Sequence, residues 1–290
     1  MSEFQFYDFR AIDQPLSPKE QEEVSAWSSR AKVSSRKAVF TYAYGDFTVK
    51  PLFAIEKYFD SLLYWASWGN KKLIFRFPLT AINLEALESF SFVLTSYDLG
   101  FDYGIKIHVR PHHVLLEFYT TNEDEEDYVD EAGKEMDQFS QIREAILSED
   151  YRCLFLFWLH LAQTLEEHNP NLIPNFHLPA IPTGLKNLST ELETFVDFFG
   201  IDRFLIRAAG HFSPEPIAIE NAYAQALTQL PESEKDEWLL RLAAQEPRLD
   251  RQFKNRLASF LKKEDTSAAN PEKVELADIL ALAKTKPKNY

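Results

Sequence analysis

Two runs of alternating apolar and polar residues flank Arg110-Pro111-His112-His113, and this pattern limits the fold more tightly than any other in the chain. Before it, Ile105, Ile107 and Val109 alternate with Lys106, His108 and Arg110; after it, Val114, Leu116 and Phe118 alternate with His113, Leu115 and Glu117. A period of two belongs to β-strands, whose successive side chains point to opposite faces. Proline is favoured at the second position of a type I turn. Such a turn sets Lys106 opposite Glu117 and puts all six apolar residues on one side, so register and burial agree. An antiparallel hairpin with one covered face is therefore expected.

The residues before Asn122 mix strands with helices. Phe4, Phe6 and Phe9 mark a first strand. Ser17-Pro18-Lys19-Glu20 is a helix start with Ser17 as N-cap and Glu20 closing a capping box, and the helix should run to about Ser29. Further strands are expected over Ala38 to Tyr44, Leu73 to Phe77 and Phe92 to Tyr97, with a short helix over 83–91. Ile55, Tyr58, Phe59, Leu62 and Leu63 recur at helical spacing, which predicts a helix from about Pro51 to Ser67.

Beyond the hairpin, nine acids against one lysine lie between Glu123 and Asp137, which holds most of the chain's net charge of −14. So acidic and apolar-poor a segment cannot offset its ordering entropy, and it reads as a linker or loop over 122–140. After it the hydrophobic period becomes 3.6. Helices are expected over Gln141 to Leu147, Tyr151 to Glu167, Leu188 to Phe199 (N-cap Ser189), Ile201 to Ala209, Ile217 to Leu230, from Ser233 through Leu242, and Val274 to Ala283. Leu249, Phe253, Leu257, Phe260 and Leu261 add an amphipathic face. Pro170, Pro174, Pro179 and Pro182 predict extended chain over Asn169 to Thr183. The organisation expected is α+β: a mixed strand and helix domain over 1–121 containing the β-hairpin, the acidic segment 122–140, and an all-helical half over 141–290.

Several chemistries are excluded. The chain has eight glycines in 290 residues, none spaced as G-x-G-x-x-G or G-x-x-x-x-G-K-[ST], so the two commonest phosphate-cradling loops are absent. One cysteine permits neither an internal disulfide nor a multi-cysteine zinc site. H-E-x-x-H and G-x-S-x-G are missing. The longest uncharged apolar stretch, Cys153 to Leu165, is too short for a membrane span. The opening Met1-Ser2-Glu3-Phe4 lacks a basic region followed by an apolar core, so no signal peptide is expected. The expected setting is cytoplasmic, with no membrane partner, no metal and no cofactor.

The candidate site residues are few. His108, Arg110, His113 and Glu117 would share the polar face of the hairpin and are the candidates for catalysis. His108, His112 and His113 invite a metal, but a third convergent ligand is not evident, so a solvated hairpin face is the preferred reading. Cys153 and His160 lie seven apart on one helix, about 10 Å at 1.5 Å per residue, too far for a thiolate–imidazole pair. Asp98 and Asp102 lack the spacing of a calcium loop. Arg30, Lys32, Arg36 and Lys37, with serines interleaved and no acid among them, could hold phosphates; the acidic whole argues against nucleic acid, and a polar connection is preferred.

Phe6 to Ser17 contains Phe9-Arg10-Ala11-Ile12-Asp13-Gln14-Pro15-Leu16-Ser17 and resembles the opening of an uncharacterised bacterial protein family that begins F-x-A-I-D-x-P-L-[ST]. Ser28 to Ala31, Gly45-Asp46-Phe47, Tyr58-Phe59-Asp60 through Trp68-Gly69, Leu154 to Leu159, Pro182 to Leu185, Leu188-Ser189 and Asp197-Phe198-Phe199 look similar too. The likeness covers Phe6 to Ala209 and implies one bacterial unit, but no activity, cofactor or catalytic residue. The leading expectation is a non-enzymatic cytoplasmic interaction or adaptor module that binds another protein; Leu249 to Leu261 is the segment nominated for contact, with burial in the protein's own core as the preferred reading of that helix. The alternatives are an enzyme of unrecognised type, a hydrolase being one option, with a site between the halves, and a nucleic-acid-associated accessory protein using Arg30 to Lys37.

Overall fold

A computed structural model describes residues 4–94, 103–121, 135–175, 177–214, 219–244 and 274–285, with isolated positions between 246 and 260. Eight strands form one antiparallel sheet: β1 (Gln5–Arg10), β2 (Lys32–Val33), β3 (Lys37–Tyr42), β4 (Ser61–Ala66), β5 (Asn70–Pro78), β6 (Phe92–Leu94), β7 (Tyr103–Val109) and β8 (His113–Thr121). Their order is β2-β3-β1-β4-β5-β8-β7-β6. The two edges are the shortest strands, which limits the exposed row of unpaired backbone groups.

The hairpin has the register that its alternation predicts, with Ile105, Ile107 and Val109 opposite Phe118, Leu116 and Val114, and Lys106 opposite Glu117. The capping box at Ser17 and Glu20 is also present, at the head of α1 (Pro18–Ser25), which stops short of the expected Ser29. The helix expected over 51–67 is instead α2 (Pro51–Tyr58), an extended Phe59, and strand β4. An apolar run fits both periods when both faces of a strand are covered. That is the case here: Leu62 faces Phe9 and Ile74, whereas Leu63 faces the opposite layer.

On one face of the sheet, Tyr7, Phe9, Phe40, Leu62, Ile74 and Leu115 pack against α1 and α2. On the other, Leu73, Phe75, Phe77, Ile105, Leu116 and Phe118 pack against the helices that follow. These are α4 (Glu135–Leu147), α5 (Arg152–His168), α6 (Thr190–Phe199), α7 (Arg203–Phe212) and α10 (Leu276–Lys284), with α3 (Leu84–Glu88) lying earlier in the chain. Ten of the seventeen residues of α5 are buried, and Phe157, Phe195 and Phe199 interlock with Phe118 through ring centroids 4.8–6.3 Å apart. The sheet and the helical half thus share a core.

Several expectations shift. Positions 135–140 of the expected acidic segment are helical, while 122–134 lie outside the described residues, as do Asp98, Asp102 and the end of the strand expected to reach Tyr97. A 3-10 helix, Pro170–Asn175, occupies part of the stretch expected to be extended. Ser189 holds the N-cap position of α6, but its hydroxyl donates to Glu191 instead of capping the backbone. Helices α8 (Ile219–Gln229) and α9 (Glu232–Ala243) follow, and α9 starts after Pro231, which leaves Ser233 inside the helix.

Candidate functional site

The four hairpin candidates do share one sheet face, where they fall into two groups. Glu117 is the centre of the first. Its Oε2 lies 2.8 Å from His108 Nε2 and its Oε1 lies 2.8 Å from Lys72 Nζ. β5 brings Lys72 beside Tyr119, and β7 brings His108 beside Leu115, so three strands build the cluster. Burial works to raise the Glu117 carboxyl, but Lys72 and His108 outweigh it and hold the group below its ordinary value. Lys72 and Lys106 both lie over the ring of Tyr119, at 4.6 and 5.6 Å. A buried carboxylate matched by a lysine and a histidine is a satisfied arrangement, in which the imidazole is oriented by a carboxylate as a general base requires.

The second group lies at the turn end. Arg110 Nε donates to Glu56 Oε1 at 2.6 Å, joining the hairpin to α2. Arg76 places Nε and Nη2 on Asp60 Oδ1, at 3.2 and 2.6 Å, and Nη1 on the carbonyl of Glu56. His113 sits among these groups; burial and the positive charge of Arg76 push its imidazole below its ordinary value. Its buried Nε2 has no hydrogen-bond partner among the described residues.

The sheet face continues into a tyrosine network that sequence reading missed. Tyr7 donates to Gln5 Oε1 at 2.8 Å and Gln5 Nε2 donates to Asp46 at 2.9 Å. Burial pushes Tyr64 up to about 12, so these hydroxyls stay protonated at neutral pH.

The basic cluster is spread out. Arg30 donates to the carbonyl of Tyr44 and stacks over Tyr42, Arg36 donates to the carbonyls of Ala11 and Ile12, and Lys37 pairs with Asp8 at 3.1 Å. Arg30, Arg36 and Lys37 thus turn to three different partners, and the cluster does not converge on one ligand-sized site. Among the described residues no group of three or more His, Cys, Asp or Glu is placed to hold a metal ion.

A further feature lies in the helical half. α9 is twelve residues long, and none of them is buried. Leu239, Leu240 and Leu242 are 62%, 71% and 63% exposed. Beside them is an apolar hollow of about 340 Å³, lined by Leu227, Trp238, Leu249 and Phe253 among others. Trp238 packs on Phe253 and carries Arg241 over its ring at 4.4 Å, while Arg256 reaches across to Glu234 at 2.6 Å. The signal was present in the sequence: Trp238, Leu239, Leu240 and Leu242 wrap about 200° of a helix at 100° per residue, more than one packed side covers. The segment from Leu249 to Leu261 has Leu249 and Leu257 buried and Phe253 and Phe260 packed in one cluster with Ala226 and Leu230, in keeping with the expectation that it is buried in the chain's own core.

No family model matches the sequence, and no curated protein or solved structure is detectably similar to it. Among the described residues no helix is long and apolar enough to cross a membrane.

Proposed function

We propose that the chain is a non-enzymatic, cytoplasmic protein-interaction module that binds its partner through the leucine face of α9. One observation carries this reading: three large aliphatic side chains more than 60% exposed on one helix, beside an apolar hollow. Contiguous exposed apolar surface of this kind marks interaction sites on folded proteins. Asp236 and Glu237 stand among the leucines and are exposed, while Glu232 is paired with Lys235 at 2.6 Å; the two acids favour a partner whose apolar anchors are flanked by basic groups. The test is capture from the native host with wild-type protein and with Leu239→Glu/Leu242→Glu. A stoichiometric partner retained by the wild type and lost by the variant is expected. If cross-linked and uncross-linked captures both yield no such partner, the reading is wrong.

A second reading, an enzyme of hydrolase type, is favoured by the 2.8 Å contact between His108 and Glu117. It requires that His108→Gln abolish a turnover that Lys106→Gln retains. A broad hydrolase substrate panel on which wild type and His108→Gln behave alike removes it.

A further inference from the structure

Away from α9, a cleft of about 670 Å³ opens where the end of α3, the corner between α4 and α5, and the chain at 180–187 meet. Ser213, at the end of α7, donates to the carbonyl of Pro182 at 2.7 Å and accepts from the Leu185 N–H at 3.2 Å, which ties the chain at 182–185 to that helix. In the α4–α5 corner, Glu149 has left-handed backbone (φ 62°), a conformation that a helix end ordinarily gives to glycine. Among the described residues it is the only non-glycine with a positive φ, and it belongs to the lining of the cleft. The four charged residues of that lining are all engaged. Arg152 reaches both oxygens of Asp150, at 3.0 and 2.7 Å, and Glu149 and Lys186 each have an interaction of their own.

One wall of the cleft is backbone with nothing to bond. In Leu178-Pro179-Ala180-Ile181-Pro182, Leu178 and Ile181 each precede a proline, which pushes them into extended geometry, and the prolines fix their own φ. No turn or helix interrupts the stretch. Among the described residues, no hydrogen bond within the chain engages the N–H or C=O of Ala180 or Ile181, and both residues line the cleft. We propose that this cleft takes an uncharged, extended peptide segment of another protein, which adds as a strand along Ala180 and Ile181. In strand addition the main-chain hydrogen bonds supply affinity and side-chain pockets supply selection. The pocket here is apolar, built from Ile181, Pro214 and Phe90, the last packed on Tyr151 with ring centroids 6.0 Å apart. Because the charged groups of the lining are already engaged, a charged side chain seated among them would lose its water without gaining a partner. A saccharide would bond to side chains and leave the two backbone amides unused.

The test is selection against the full chain from a random dodecapeptide library displayed on phage, with the selected sequence made as a blocked peptide and titrated by calorimetry. An uncharged binder is expected, and Leu239→Glu/Leu242→Glu should leave its affinity unchanged, which separates this site from the α9 face. Ala180→Pro and Ile181→Pro each delete a backbone N–H that no internal hydrogen bond uses, so circular dichroism should show an intact fold. Successive residues of an extended chain turn their backbone groups to alternate sides. The variant at the residue facing the cleft is therefore expected to lose binding about tenfold, the worth of a hydrogen bond whose partner is left stranded. N-methylating the peptide's amides one at a time asks the same question without altering the protein, and at least one methyl should cost a similar factor. The proposal is overturned if no peptide binds that the α9 variant retains, if the selected peptides are charged, or if the folded proline variants and every methylated peptide all bind as their parents do. Binding of maltotriose with no peptide binder would overturn it too and assign the cleft to a saccharide.

Discussion

The rim where β1, β4 and β5 meet α4 and the surface of α9 treat side chains in opposite ways. At the rim, charge is buried and matched. Arg143 of α4 is fully buried, and it sends Nη1 and Nη2 to Asp13 at 3.2 and 2.9 Å and Nε and Nη2 to the carbonyl of Arg76. Asp60, 1% exposed, accepts from the backbone N–H groups of Ile12 and Asp13 and from Arg76. On α9, apolar groups are exposed and unmatched. Burying an ion is tolerable only when partners replace its water; exposing a leucine is tolerable in solution but leaves apolar surface for a partner to cover. The first arrangement holds the helical half on the sheet, and the second leaves leucine side chains uncovered by their own chain.

The sharpest way to break this contrast is Arg143→Met. The substitution keeps most of the volume but removes both guanidinium bonds to Asp13 and both to the Arg76 carbonyl. Breaking one side of a buried ion pair costs about 3–5 kcal/mol, and the lower end is expected because Asp13 keeps 22% of its side-chain exposure and can rehydrate. Urea denaturation measures it. Arg143→Met/Asp13→Asn should lose less than the two single changes together, since both remove the same ion pair.

The next largest effect is acid sensitivity at the far side of the same core. His160 packs between Tyr103 and Phe157, and burial, aided by the charge of Lys71 and opposed by Asp202, lowers its imidazole to about 4. The unfolded chain takes up the proton first, near pH 6.5. Stability is therefore full above that value, falls as pH drops from about 6.5 to about 4, and levels off below. The loss is at most about 3 kcal/mol, and less because the residue keeps some solvent contact. His160→Phe should flatten that stretch of the stability curve; an unchanged slope would mean the imidazole protonates in the folded protein.

Glu117 gives a smaller and lower-lying effect. Its native carboxyl is held below 4.5 against the cost of burial, by Lys72 and His108, so its contribution is present above that pH and is lost as pH falls through the native value. Glu117→Gln leaves Lys72 facing an amide and should cost about 1–3 kcal/mol at neutral pH. A stability unchanged within error would mean that water replaces the carboxylate freely.

The hairpin was legible because two independent local signals, alternation and a turn proline, gave the same register. β4 was not, since Leu62 and Leu63 carry no alternation when both sheet faces are covered. The site candidates were legible only as types: the sequence places His108 and Glu117 on one face, but Lys72 comes from a strand more than thirty residues earlier. The Arg143–Asp13 pair spans 130 residues and has no local signature at all. The exposure of α9 was written in an apolar arc too wide for one packed side.

That arc supplies the smallest stability effect and the clearest separation of the two regions. Leu239→Ser touches a side chain already 62% exposed on a helix with no buried residue, so the folded state loses little packing and the unfolded state gains little. Serine's lower helix propensity costs a few tenths of a kcal/mol, and removing exposed apolar surface costs less still. A change within about ±0.5 kcal/mol is expected by urea denaturation. A loss above about 2 kcal/mol would show instead that Leu239 is covered within its own chain in solution, which would remove the basis for treating α9 as a docking face.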